Sequence, residues 1–164
     1  MWPVFCRNIL VYYIHFMKTQ FSVGVFGIIF DKYRRILLVH RTDHDLWNLP
    51  GGGLEDCESP VEGVKREVRE ETGLKVEVSK LLGVYNKIDR NELVFSFLCE
   101  VSGGEIALNS EADRIEYFAI DELPPNTVPK QVERIADAIL NSSEVIFKTQ
   151  SGKSAIDLVK EGRL

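Results

Sequence analysis

Cysteine is scarce in this chain, with Cys6, Cys57 and Cys99 the only three in 164 residues. Their odd number and wide spacing argue against a disulfide framework and against a C-x-x-C metal knuckle, and they fit a reducing, cytoplasmic setting. Histidine is as sparse: His40 and His44 flank a turn and lack the spacing of a zinc site. An excess of basic residues is also missing. Lys and Arg total 20 against 25 Asp and Glu, a net charge of -5, which argues against gripping a nucleic-acid polymer and leaves a single nucleotide open. Long hydrophobic runs are absent too. The N-terminal run Ile9–Ile14 is far shorter than the roughly 20 residues of a membrane-spanning helix, and the first sixteen residues lack the basic start and small-residue cleavage site of a secretory signal. Neither a transmembrane span nor a membrane partner is expected. No internal repeat and no low-complexity linker breaks the chain.

What is there suits one folded domain. Hydrophobic residues make up 45% of the chain, enough for a sizeable core, and the length leaves no room for a second full domain. "FSVGVFGIIF" (Phe21–Phe30) and "RILLVHR" (Arg35–Arg41), separated by a polar turn, read as a hairpin. Leu74–Tyr85, Glu92–Val101 and Arg114–Ile120 read as further strands. Helical spacing is confined to Pro60–Thr72 and Pro129–Leu140, where Val132, Ile135, Ile139 and Leu140 recur. Such a mixture without strict alternation points to an α+β domain. Residues 1–16 read as an N-terminal extension, with Met17 a candidate translation start. Residues 17–141 form the domain, and residues 142–164 a tail, packed on it, with a candidate strand "EVIFK" and a short helix "SAIDLVKEG".

The helix Pro60–Thr72 is announced at both ends. Ser59 suits the N-cap, Pro60 the first helical position, Glu62 completes an S-x-x-E capping box, and Gly73 supplies a left-handed stop. Val61, Val64 and Val68 share one side and are expected to dock on the sheet. Glu67, Glu70 and Glu71, at i, i+3 and i+4, converge on another. Like charges this close repel, so a cation is expected among them, and an all-oxygen set favours Mg²⁺ or Mn²⁺ over zinc. A solvated acidic face would carry the same pattern. Gly63, one turn before Glu67, is expected to leave space on this face for ions or phosphates. Ahead of the helix, Gly51–Gly53 follow a strand end, where backbone can approach a ligand closely.

Loop and helix together read Gly52, five residues, Glu58, seven residues, Arg66-Glu67-Val68, one residue, Glu70-Glu71, one residue, Gly73-Leu74. This resembles the Nudix box at every specified position, a far stronger signal than a lone glycine motif. The flanking "WNLPGG" and "YFAIDELP" extend the resemblance loosely from about Met17 to Leu140. Many members of the family have glycine where this chain has Cys57, a departure that bears on the loop backbone and replaces no ligand. The resemblance implies a Nudix-type α/β/α sandwich with a mixed central β-sheet. It also implies that Glu67, Glu70, Glu71 and the Gly52 carbonyl ligate divalent metal, with Glu58 and Arg66 paired as structural support.

The chemistry implied is attack of metal-activated water on a diphosphate within a nucleoside diphosphate linked to another group; the stretch "ELPPNTVPKQVERI" resembles sequences labelled ADP-ribose pyrophosphatase, which favours ADP-ribose or a related nucleotide sugar. The proton acceptor is Glu71 or Glu111, the latter in a loop that could fold over the site. A nucleoside triphosphate pyrophosphatase of house-cleaning type is one alternative, and a non-catalytic nucleotide-binding module is another. Messenger-RNA decapping fits poorly with an acidic chain. A homodimer is compatible with the resemblance. Trp47, Arg41 and Tyr85 could contact a base or phosphate; Trp47 reads rather as core and Arg41 as exposed or paired, and all three are left out of the candidate site.

Overall fold

The computed structural model describes residues 20–140 and 143–164, so the expected N-terminal extension lies outside the described residues. Strand β1 (Ser22–Ile29) is followed by β2 (Ile36–Arg41), β3 (Trp47–Asn48) and β4 (Gly51–Gly53). Helix α1 (Pro60–Thr72) leads into β5 (Leu74–Lys87), β6 (Glu92–Gly104) and β7 (Ala112–Phe118). Helix α2 (Pro129–Ile139), β8 (Ile146–Thr149) and the short helix α3 (Ala155–Lys160) complete the chain.

The expected hairpin of β1 and β2 does not form. The two strands enter different sheets and keep one bridge, Phe30 to Ile36, beside a turn in which the Asp31 carboxylate accepts from the Tyr33 and Arg35 N–H groups. Both strands are apolar on both faces, so each buries more by pairing deep in a sheet than along a two-stranded ribbon. β1 lies parallel to β6 and antiparallel to β4 in the five-stranded sheet β4-β1-β6-β5-β8, which is therefore mixed. β2 joins β3 and β7 in a three-stranded antiparallel sheet.

Strand alternation sorts the core into two layers. Val25, Ile29, Leu37, Val39, Phe97 and Cys99 pack on one face with Val64 and Val68 of α1. Ile28, Ile36, Leu38 and Trp47 pack on the other with Ile135 and Ala138 of α2. Helices thus cover opposite faces, giving an α+β fold with an α/β/α arrangement. Gly27 marks where α1 presses closest, since a Cβ there would stand 2.9 Å from Val68 Cγ2. Val61 does not dock as expected: it is 42% exposed, because it sits in the first turn, ahead of the part of α1 that lies against the sheet.

Candidate active site

The capping box that shapes α1 is present in both directions. Ser59 Oγ accepts from the Glu62 N–H, and Glu62 Oε2 accepts from the Ser59 N–H. Gly73, at φ 76°, ends the helix with its N–H on the Arg69 carbonyl. Because both ends are pinned, the rotation of α1 is fixed. Val64, Val68 and Thr72 point into the sheet, Glu67 and Glu71 flank the glycine loop, and Glu70 lies more exposed against Arg66.

That loop is held against β1, with Gly24, Val25 and Phe26 registered on Gly53, Gly52 and Gly51. Gly51 adopts φ 146°, and a Cβ on it would stand 2.1 Å from the Val25 carbonyl oxygen, so only glycine fits. At Gly52 a Cβ would meet the Glu67 carboxylate at 2.7–2.8 Å, so the missing side chain is what lets that carboxylate lie over the loop. Gly63 plays a different part from the one expected. A Cβ there would strike Leu54 Cδ2 at 2.3 Å and Glu58 Oε2 at 3.0 Å, so its space is filled by the preceding loop and not left for ions. Cys57 holds φ 63°, the left-handed conformation natural to glycine, and keeps that backbone despite having a side chain.

Arg66 is the organising cation. Its Nε and Nη2 donate to Glu58 Oε1 and Oε2 at 2.8 and 2.9 Å, Nη2 also reaches the Gly53 carbonyl, and Nη1 donates to Glu67 and Glu70 at 3.0 and 3.1 Å. The fork to Glu58, with further bonds to Glu67 and Glu70, raises the guanidinium pKa beyond its ordinary value. Glu71 lies on the other side of the loop and accepts the Gly51 N–H at 2.9 Å. Burial pushes its carboxyl up to about 7 against that hydrogen bond, and the charges of Glu67 and Glu111 add to the rise. Burial likewise raises Glu67, with Glu70 and Glu111 contributing and Arg66 opposing.

Glu111 precedes β7 and lines the same cleft as Glu71, Gly51–Gly53 and Arg41, a space of about 530 Å³. Asn109 fixes its loop: Nδ2 donates to the Glu70 carbonyl, and Oδ1 accepts the N–H groups of Glu111 and Ala112. As the side chains stand, Arg66 and Gly51 engage the box carboxylates, and among the described residues no three His, Cys, Asp or Glu side chains converge tightly enough to hold one ion. Their chemistry still fits a hard divalent cation. The donors are all oxygen, Glu67 lies directly over Gly52, and the neighbouring carboxylates raise Glu67 and Glu71 further than burial alone, a repulsion that a cation relieves.

Of the residues set aside on sequence grounds, Trp47 and Tyr85 are buried and His40 lies between Asp45 and Asp113. Arg41 pairs with Asp43 through Nε and Nη2 and also lines the cleft, where its charge lowers Glu71. Gln131, Ser154 and Ala155 line the cleft as well. Sequence reading missed Ser154 and Ala155 because the tail carries no motif, and Gln131 because α2 was read for its apolar stripe alone.

A mixed α+β sandwich with an acidic helix set against a glycine loop frames this site, and comparison with known proteins identifies the class to which it belongs. Residues 18–138 match the NUDIX domain family, so the chain belongs to the Nudix family. It is 39% identical over 135 residues to a MutT-like protein of Streptomyces ambofaciens, covering 82% of this chain and 87% of that one. It is 39% identical over 110 residues to an ADP-ribose pyrophosphatase of Methanocaldococcus jannaschii, covering 63% of this chain and 64% of that one. The crystal structure of an ADP-ribose pyrophosphatase from Streptococcus suis superposes with a TM-score of 0.65 at 29% identity, covering 79% of this chain and 98% of that one.

Proposed function

We propose that this chain hydrolyses the diphosphate bond of a nucleoside diphosphate linked to another group, with ADP-ribose or a related nucleotide sugar as substrate and Mg²⁺ as cofactor, Mn²⁺ substituting. The observation that carries the reading is the convergence of Glu71 and Glu111 with Gly51–Gly53 on a cleft of about 530 Å³, with Glu67 lying over Gly52 and Glu70 joined to it through Arg66. The names of the Methanocaldococcus and Streptococcus relatives favour the sugar-linked substrate.

Glu67, Glu70, Glu71 and the Gly52 carbonyl would hold the divalent ion. Bound there, it supplies a lowered water pKa and neutralises charge on the phosphoryl oxygens. Arg66 competes for the Glu67 and Glu70 oxygens and, through its fork to Glu58, keeps the loop and α1 in register. Glu111 accepts the proton of the attacking water: its carboxylate lines the cleft and no described hydrogen bond or ion pair occupies it, whereas a Glu71 oxygen is already bonded to the Gly51 N–H. Water adds to one phosphorus, the bridging oxygen leaves with the other phosphate, and two phosphorylated fragments result.

The test is a Mg²⁺-dependent hydrolysis screen over ADP-ribose, other nucleotide sugars, dinucleoside polyphosphates and nucleoside triphosphates, with the products identified. Release of AMP and ribose 5-phosphate from ADP-ribose, reduced about 100-fold or more by Glu70→Gln, is the expected result. Preferential pyrophosphate release from nucleoside triphosphates would replace the sugar-linked substrate with the house-cleaning alternative. No turnover of any class would favour a binding module.

A further inference from the structure

Beyond the acidic end of the cleft, the chain builds a second, basic cavity of about 80 Å³. It shares Phe26, Val128, Gln131, Ser154 and Ala155 with the main cleft, so the two spaces are continuous along one wall. Its remaining walls are Lys87, Arg90, Lys130 and Arg134, four cations supplied by two separate parts of the chain.

Arg134 is the centre of this arrangement. It is 1% exposed, its guanidinium lies 5.1 Å from the Phe26 ring centroid and 5.2 Å from that of Tyr85, and Nε and Nη2 donate to Gln150 Oε1. Nη1 is buried with no hydrogen-bond partner. Among the described residues no carboxylate forms an ion pair with Arg134 or with Lys130, whose Nζ donates to the Gly152 carbonyl. The acids nearby are committed elsewhere: Glu92 to Lys87 at 2.7 Å, Asp157 to Arg90 at 3.4 Å, Asp89 to the Gly152 N–H, and Glu133 to Gln150. Leaving a guanidinium donor unbonded in the interior costs more than leaving a neutral one, which points to an acceptor brought by a ligand. Burial lowers the pKa of Lys87, Lys130 and Arg134, the last to about 10; Arg134 further lowers the two lysines, and Arg90 further lowers Lys130.

We propose that this cavity is a phosphate subsite, which takes a phosphate group on the part of the substrate remote from the diphosphate that is cut. The inference rests on the hydrolase reading above. Cations converging from several directions suit a tetrahedral dianion, and the planar fork of Arg134 is built for phosphoryl oxygens. A space of about 80 Å³ admits a phosphate group and no base or sugar. The phosphate can belong to the substrate or be free inorganic phosphate, and the chemistry of the cavity is common to both.

Two measurements on the full chain separate these sources. In the first, kcat/KM is measured for ADP-ribose and for ADP-ribose bearing a 2′-phosphate, in the wild type, Lys130→Ala and Lys87→Gln. In the second, thermal unfolding is followed in EDTA with rising inorganic phosphate, so that a metal-dependent site cannot contribute. A wild-type preference of about tenfold or more for the 2′-phosphorylated substrate, collapsing towards unity in Lys130→Ala and Lys87→Gln, supports the proposal with the substrate as source. The preference is a ratio within each protein, so a general loss of activity or stability cancels. Equal turnover of the two substrates, with phosphate raising the wild-type Tm and failing to raise that of Lys130→Ala, supports it with free phosphate as source. Equal turnover with no protection by phosphate overturns the subsite and leaves the hydrolase reading standing; no turnover of either substrate with no protection overturns both.

Discussion

At the scale of single residues, the glutamates of the loop, helix and cleft differ by what already holds them. Glu58 is bound by Arg66 through two hydrogen bonds and Glu71 by the Gly51 N–H, whereas the Glu111 carboxylate faces the cleft with no described hydrogen bond. Glu111→Gln is therefore expected to lower kcat about 100-fold or more with Mg²⁺ affinity largely kept, the mark of a lost general base. Steady-state kinetics against a Mg²⁺ titration checks it, and an unchanged kcat would move the proton to Glu71. The glycines divide in the same manner. Gly51→Ala drives a Cβ into the Val25 carbonyl at 2.1 Å, backbone that cannot step aside, and is expected to cost several kcal/mol, visible as loss of cooperative unfolding or of soluble protein. The placement of Glu67 and Glu71 beside the glycine loop was legible in sequence because helical spacing fixes which residues of α1 share a face. The role of Gly63 was not, since nothing local reveals that Leu54 and Glu58 fold back to fill its place.

At the scale of elements, α1 was readable to its ends because its boundaries are set by side chains within a few residues of one another. The reciprocal Ser59–Glu62 bonds and the left-handed Gly73 are local chemistry, so the sequence carried them in full. Ser59→Ala removes the acceptor for the Glu62 N–H and is expected to cost about 1 kcal/mol, a fall in Tm of roughly 2–4 °C for a chain of this size. Differential scanning calorimetry measures it, and an unchanged Tm would mean that packing of Val64 and Val68 alone fixes the helix start. The hairpin reading of β1 and β2 failed for the opposite reason. A tight turn at Asp31 is a local signal, but strand partners are chosen by burial far along the chain, and β6 and β7 outcompete the local pairing.

Over the whole molecule, the tail after residue 142 closes what the two sheets leave open. β8 pairs in parallel with β5 from Gly83↔Ile146 to Asn86↔Thr149, and the Gln150 N–H then bonds to the Asn86 carbonyl. From there Gln150, 3% exposed, accepts from Arg134 and donates to the Lys130 carbonyl and Glu133, tying the last strand to α2. No periodicity announces such a residue, because its importance comes from a partner on another element and from burial. Replacing it by leucine keeps similar bulk and the backbone bond to Asn86 while removing every side-chain bond, and leaves the Arg134 guanidinium, already short of one acceptor, with none among the contacts described for it. Gln150→Leu is expected to destabilise the chain by about 2–3 kcal/mol through that buried, unsatisfied charge. Urea unfolding gives the difference directly, with the midpoint falling and the slope unchanged. A ΔΔG near zero would show that Arg134 finds water or another acceptor in its place. The double variant Gln150→Leu with Arg134→Met, which removes the charge together with its partner, should recover part of the loss; failure to recover any would assign the cost to β8 pairing and not to the guanidinium.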